Sequence, residues 1–321
     1  MASNLKLEIF RISLKKKNGR NNALYNYKEL FDLIDKNKET AYNAFVAKFI
    51  AYFDNEFKMN ADGNKGISSS ANNKYEPKFT QNIINGEVNG GPTDMEQTIY
   101  KRNNAKKKTG KLENDDIATL PFFFKLWTPY DHNTGVLMVQ SYSNETITTL
   151  IKLHLTKFIQ KFGYSLIITP YINKGLVDAY CERSNVYKVT YVKERLNKSK
   201  RQLINPIFTE FENLKVKIEV SGFKKSIMDF WDNFNKHLPI GSNLSDFDIK
   251  EVDDYEVIAH YEDENGHKAS TGIAKDYVIK PTIFLPDALK RANSNYYDFG
   301  KIAKYTQGIL DQIKIEIQYA R

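Results

Sequence analysis

The run Leu120-Pro-Phe-Phe-Phe-Lys-Leu-Trp127 is almost continuously apolar and of strand length, so it reads as a buried strand. A turn around Asp131-His-Asn-Thr-Gly135 leads into Val136-Leu-Met-Val-Gln140, which makes this the clearest hairpin in the chain. Other segments must cover such a hairpin, and the sequence supplies amphipathic candidates. Tyr27–Lys36 and Thr40–Lys58 carry apolar residues at helical spacing, among them Leu30, Phe31, Phe45, Phe49 and Phe53. Ser143 or Asn144 is placed to cap a helix over Glu145–Phe162, with Ile147, Leu150, Ile151, Leu155, Phe158 and Ile159 on one face and Gly163 at its end. Asp298–Tyr319 closes the chain as a long helix with the stripe Ile302, Tyr305, Ile309, Ile313 and Ile317.

Further strands are expected at Leu5–Leu14, Leu166–Thr169, Val186–Val192 and Leu214–Val220. Tyr255–Tyr261 and His267–Ile273 pair across a turn at Asn265-Gly266, and Asp276–Leu285 adds an extended segment. Lys224–Leu238 reads as a helix. The Asn-, Gly-, Ser- and Lys-rich stretch from Asn60 to Gly91 reads as loops around a short Lys78–Ile84 element, and residues 60–111 together as a loop-rich insertion. The mixture of hairpins and helices predicts an α+β fold. With 321 residues there is room for two domains, and the polar, basic run ending at Arg201 sets the expected boundary: a larger domain over 1–202 and a smaller one over 203–321.

Charge is distributed unevenly. The net charge is +8, yet residues 101–225 hold 22 basic against 11 acidic side chains, a net +11, while residues 226–321 are net −5. A basic middle segment draws polyanions such as nucleic acid, and a Lys-rich background would not leave the last third acidic. Two clusters carry the excess: Lys101, Arg102, Lys106, Lys107 and Lys108, and Arg183, Lys188, Lys193, Arg195, Lys198, Lys200 and Arg201. In the second, Tyr187 and Tyr191 alternate with the cations, and on a strand they would share a face with Lys193 and Arg195. Such residues neutralise phosphates and stack on unpaired bases; the bland reading is a half-buried strand with a polar linker.

Catalytic signatures are absent from the sequence. No Walker-type or Gly-x-Gly-x-x-Gly loop occurs, since Gly86, Gly90 and Gly91 are followed by no Gly-Lys-Ser/Thr. The five histidines lack metal-ligand spacing; His260 and His267 would stand roughly 13 Å apart across their hairpin. The single cysteine, Cys181, excludes an internal disulfide framework and fits a reducing cytoplasmic setting. No signal peptide and no bilayer-spanning apolar stretch are read. The acidic run Asp246, Asp248, Glu251, Asp253, Asp254 and Glu256 is the one place where Mg²⁺ could serve a nuclease, against the plainer reading of a solvated face. No metal, cofactor or catalytic residue is therefore assigned.

The order of elements over residues 120–321 resembles the layout of phage-exclusion proteins of the RexA type and, more loosely, the DNA-binding KwaB component of Kiwa defence. It runs through a strand (Phe122–Trp127), a hairpin (Gly135–Gln140), a capped helix (Glu145–Phe162), a strand ending at Pro170 and a basic strand (Val186–Arg195), then a smaller region closed by a terminal helix. The resemblance implies a two-domain, homodimeric, DNA-binding protein of antiphage defence with a small membrane-protein partner. The insertion before Lys111 has no counterpart in it, and no catalytic residue carries over. The expectation is a non-catalytic, cytoplasmic protein that binds duplex DNA with little sequence preference. An Mg-dependent effector nuclease and a regulatory interaction subunit are the alternatives.

Overall fold

The computed structural model describes residues 4–17, 23–54, 56–69, 74–93, 96–101, 104–143, 145–193, 195–196, 198–230, 256–264, 266, 268–272 and 283–319. In chain order its elements are β1 (Leu5–Lys16), α1 (Tyr27–Ile34), α2 (Lys38–Asp54), β2 (Lys58–Met59), β3 (Lys65–Ser69), β4 (Tyr75–Lys78), β5 (Ile83–Pro92), β6 (Gln97–Lys101), β7 (Asn104–Leu112), β8 (Leu120–Trp127) and β9 (Thr134–Tyr142). There follow α3 (Thr148–Gln160), β10 (Tyr164–Pro170), α4 (Lys174–Arg183), β11 (Asn185–Lys193), α5 (Lys198–Ile204), β12 (Val216–Ser226), β13 (Glu256–Glu262), β14 (Lys268–Gly272), β15 (Ile283–Phe284) and α6 (Phe299–Glu316). The fold is α+β. Two compact units divide it: residues 1–171 with 283–321, and residues 172–282. The boundary expected after residue 202 falls inside the second unit.

The first unit is built on a nine-stranded antiparallel sheet of order β10-β1-β9-β8-β5-β3-β2, with β15 on β1 and β4 on β5. Alternation along β8 sends Phe122, Phe124 and Leu126 to one face and Phe123, Lys125 and Trp127 to the other. Phe124 meets Phe49 of α2, which makes edge-to-face contacts with Phe53 of the same helix and Phe158 of α3, so the two helices cover that face with aromatic rings. On the opposite face Phe123 meets Tyr297 and Phe299, and Trp127 meets Tyr319, at either end of α6. Glu87 is buried on this face; Tyr297 Oη donates to its Oε2 at 2.8 Å, and Lys74 Nζ lies 3.4 Å from Oε1. That pairing is what makes a buried carboxylate tolerable.

Local signals explain most boundaries. Gly163 adopts a left-handed conformation (φ 81°) just beyond α3, and Asp298 Oδ1 accepts the Lys301 N–H to start α6. The start of α3 differs from expectation. The helix begins at Thr148, where Thr146 Oγ1 accepts the Thr148 N–H, because the Ser143 hydroxyl is engaged with the backbone of Asn4.

The stretch over Asn60–Gly91 is largely strand, not loop: β3, β4 and nearly all of β5 lie within it. Its glycines hid the pattern by standing where neighbours approach too closely for a side chain. A Cβ on Gly86 would meet the Phe124 ring at 2.4 Å, and one on Gly91 would meet the Ala118 carbonyl oxygen at 1.8 Å.

The second unit has a four-stranded antiparallel sheet of order β12-β11-β13-β14. Its core gathers Cys181, Val186, Val189, Tyr191, Ile227, Val257, Ala259 and Tyr261. Burial pushes the Cys181 thiol up from its usual value, which suits a packing role. Three details depart from expectation. β12 runs through Ser226, so the predicted helix over Lys224–Leu238 starts only at residue 227, and beyond residue 230 it lies outside the described residues. β13 and β14 pair Glu262 with Lys268, so His260 faces Ser270, one residue off the register that a two-residue turn at Asn265-Gly266 would set. A bulge between Val186 and Lys188 turns Tyr187 toward His260 while Tyr191 stays in the core, so the two tyrosines do not share a face. Of the expected extended segment Asp276–Leu285, only its end is described, as β15.

The Gly91–Ala118 contact is backbone against backbone and cannot relax by a rotamer change. Gly91→Ala is therefore expected to cost about 2 kcal/mol or more of stability, measured by chemical denaturation of the full chain.

Candidate nucleic-acid interface

Between β5 and β8 the chain leaves the large sheet as a separate two-stranded antiparallel ribbon, β6–β7. Thr98, Ile99 and Tyr100 favour extended backbone. Thr109 Oγ1 donates across the ribbon to the Ile99 carbonyl at 3.0 Å. The base is tied down where buried Thr93 donates from Oγ1 to the carbonyls of Asn114 (3.1 Å) and Asp116 (3.0 Å), and where the Ala118 N–H donates to the Pro92 carbonyl. The sequence reading of this stretch as solvated loop is corrected in one respect: it is a paired ribbon on a fixed base.

Across the ribbon Thr98 faces Lys111, Ile99 faces Gly110, Tyr100 faces Lys108 and Lys101 faces Asn104, with irregular register between Ile99 and Lys101. Thr98, Ile99, Tyr100, Lys107, Lys108, Thr109 and Lys111 are all exposed. Because neighbouring strand residues point to opposite faces, both faces of the ribbon are open to solvent. No acidic residue occurs from Gln97 to Leu112. Lys111, at the base, is paired with Glu113 at 2.8 Å and Glu96 at 3.4 Å. Lys101 and Lys106 belong to the ribbon strands, and Arg102 lies outside the described residues.

The second predicted cluster belongs to the other unit and is differently employed. Arg183, in the last turn of α4, pairs with Glu264 at 3.6 Å. Lys188 in β11 pairs with Glu219 of β12 at 3.0 Å. That sheet face also carries Thr190 Oγ1, 2.9 Å from His260 Nε2; desolvation and the nearby Lys188 charge hold the His260 imidazole below its usual pKa. Arg201 is buried in α5 and its Nη1 donates to the Phe211 carbonyl, so its guanidinium is a structural tie. Lys193 ends β11 half-buried, Arg195 and Lys198 are exposed, and Lys200 sits in α5.

Of the acidic run, only Glu256 is described, at the start of β13; Asp246 to Asp254 lie outside the described residues. Among the described residues no group of three or more His, Cys, Asp or Glu side chains is placed to hold a metal, and no helix is long and apolar enough to cross a membrane. Compared with protein-family models, curated proteins and solved structures, the chain matches none of them.

The two cationic clusters should respond differently to truncation. Lys108→Ala is expected to leave stability within about 0.5 kcal/mol of the parent chain. Arg201→Ala should lower it by about 1–3 kcal/mol by removing a buried side chain together with its hydrogen bond to the Phe211 carbonyl. Urea denaturation of both variants measures the difference.

Proposed function

We propose that the chain is a non-catalytic, largely sequence-independent DNA-binding protein whose β6–β7 ribbon is the principal contact surface. The observation that carries the reading is the ribbon itself: a two-stranded element free of acidic residues, with both faces solvated and exposed lysines beside Tyr100. A two-stranded β-ribbon fits the major groove of duplex DNA, and its lysines neutralise phosphates on either side of the groove. The contribution is electrostatic, by release of condensed counterions, so it carries no base preference. In the second unit, Arg195 and Lys198 are the cations best placed to add phosphate contacts, since Arg183 and Lys188 are already paired and Arg201 is internal. Placement in antiphage defence, a homodimer and a small membrane-protein partner rest on the order of elements alone.

The test is a fluorescence-polarisation titration of duplex DNA, single-stranded DNA and RNA over a range of salt concentrations, with and without Mg²⁺. With Lys101, Arg102, Lys106, Lys107 and Lys108 engaged, log K should fall against log salt with a slope of about −4 to −5. Replacing Lys106, Lys107 and Lys108 together by Ala should weaken binding to all duplex sequences by about tenfold or more and make the slope shallower by about 2–3. Unchanged affinity in that variant would overturn the ribbon assignment. Mg²⁺-dependent cleavage would move the function to a nuclease, and absence of binding at low salt would leave an interaction subunit.

A further inference from the structure

On the α6 face of the large sheet, two polar residues are buried where the surrounding strands are apolar. Asn85 of β5 and Lys125 of β8 are directly opposed in register, and each has 0% of its surface exposed. Lys125 Nζ donates to Gln307 Oε1 of α6 at 3.1 Å, and no carboxylate lies within 4.0 Å of it among the described residues. Neither the Nδ2 nor the Oδ1 of Asn85 has a hydrogen-bond partner among the described residues. An amide buried with both ends unpaired is costly to fold and calls for a partner.

Space for that partner is present. Asn85 lines a cleft of about 430 Å³ with Glu76, Lys78, Lys304, Gln307 and Asp311, and an adjoining cleft of about 410 Å³ shares Lys78, Gln307 and Asp311 and reaches Lys314. Volumes of this order suit a small molecule. Gln307 separates the clefts from Lys125, holding the lysine through its Oε1 while its Nε2 donates to Asp311 Oδ1 at 2.9 Å. A rotation of that one half-exposed side chain would open the lysine to the cleft. Lys314 is paired with Asp311 at 3.7 Å, which leaves Lys78, Lys125 and Lys304 against Glu76, so the local charge favours an anion.

We propose that this cleft binds a small molecule bearing an oxyanion, carboxylate or phosphate-like, whose oxygens accept from Asn85 Nδ2 and from Lys125 Nζ after Gln307 turns aside. The oxyanion supplies the charge that Lys125 lacks and an acceptor for the Asn85 amide.

The proposal has a protonic consequence. Burial, reinforced by Lys78 on β4 and Lys314 on α6 and opposed by Asp311 and Glu76, lowers the Lys125 pKa to about 7. An oxyanion favours the ammonium form, so binding above that pH takes up a proton, whereas binding to exposed lysines does not.

The experiment is isothermal titration of the full chain with sodium sulfate and, separately, sodium acetate. It is run at constant ionic strength near pH 6 and pH 8, in two buffers of different ionisation enthalpy. Sulfate keeps its charge throughout and stands for the phosphate-like source, acetate for the carboxylate source. Saturable binding of either, with Kd about 1 mM or tighter, supports the proposal and identifies the source. At about pH 8 close to one proton should be taken up per anion, and affinity should be roughly tenfold weaker than at pH 6.

Asn85→Asp, which pairs the lysine internally and so guards the fold, should abolish binding; Lys125→Met should weaken it at least tenfold. No saturable binding of either anion, binding without proton uptake at pH 8, or binding unchanged in Asn85→Asp would overturn the proposal.

Discussion

The first unit depends on β8 being covered on both faces. Phe122, Phe123, Phe124, Leu126 and Trp127 are each no more than 2% exposed. Loss of contact on either face would leave large rings in water, at about 25 cal/mol for each Å² of apolar surface uncovered. The cover comes from distant parts of the chain, α2 and α3 on one side and α6 from the C-terminal end on the other. That requirement returns the last residues of the chain to the first unit after the second unit has been completed. The second unit is in effect inserted between β10 and β15, both of which pair with β1.

Double coverage also decides where polar groups can go. The connection from β5 to β8 leaves the sheet beside Gly91, where the backbone of Ala118 lies too close for a side chain. The residues between them form a ribbon outside the core, where a run of lysines costs nothing in desolvation. Inside the sheet the same rule makes exceptions conspicuous. Glu87 of β5 is answered by Tyr297 and Lys74, and His154, on helix α3 against the sheet, by Met59 and Tyr52, each with partners on both sides. Asn85 has both ends of its amide unanswered and Lys125, opposite it, has a neutral partner, which is what distinguishes this pair from Glu87 and His154.

Much of the fold was legible in the sequence, and the reasons are physical. Alternation in β1 and the apolar run in β8 survive because one or both faces are core; the helical stripes of α3 and α6 survive because each lies on one sheet face. Where a strand's side chains are replaced by close backbone or ring contacts, as at Gly86 and Gly91 in β5, the period disappears and the segment reads as loop. The β6–β7 ribbon was invisible for the opposite reason, since with both faces in solvent it has no apolar alternation to display. The bulge at Val186–Lys188 and the pairing of Glu262 with Lys268 shift faces and register by one residue, which spacing counted along a single strand does not reveal. Nor does Lys125 within an apolar run signal its opposition to Asn85, because that pairing exists only once β5 lies beside β8.

Charge counting along the chain treats every lysine and arginine alike, and the structure shows why that is too coarse. The basic middle third contains cations of three kinds: those paired across a sheet or between elements, such as Lys188 with Glu219 and Arg183 with Glu264; those spent inside, such as Arg201 and Lys125; and those left on the ribbon. Exposed pairs contribute little to stability, yet they cancel the field a polyanion would feel, so a paired lysine offers it little. The electrostatic character of the chain is therefore set by which cations the fold leaves unanswered. Among the described residues, Lys107 and Lys108 on β7 are of this last kind, projecting from a strand with no acid beside it. The β6–β7 ribbon, which lies outside the core, is thereby free to carry charge that the paired and internal cations no longer present.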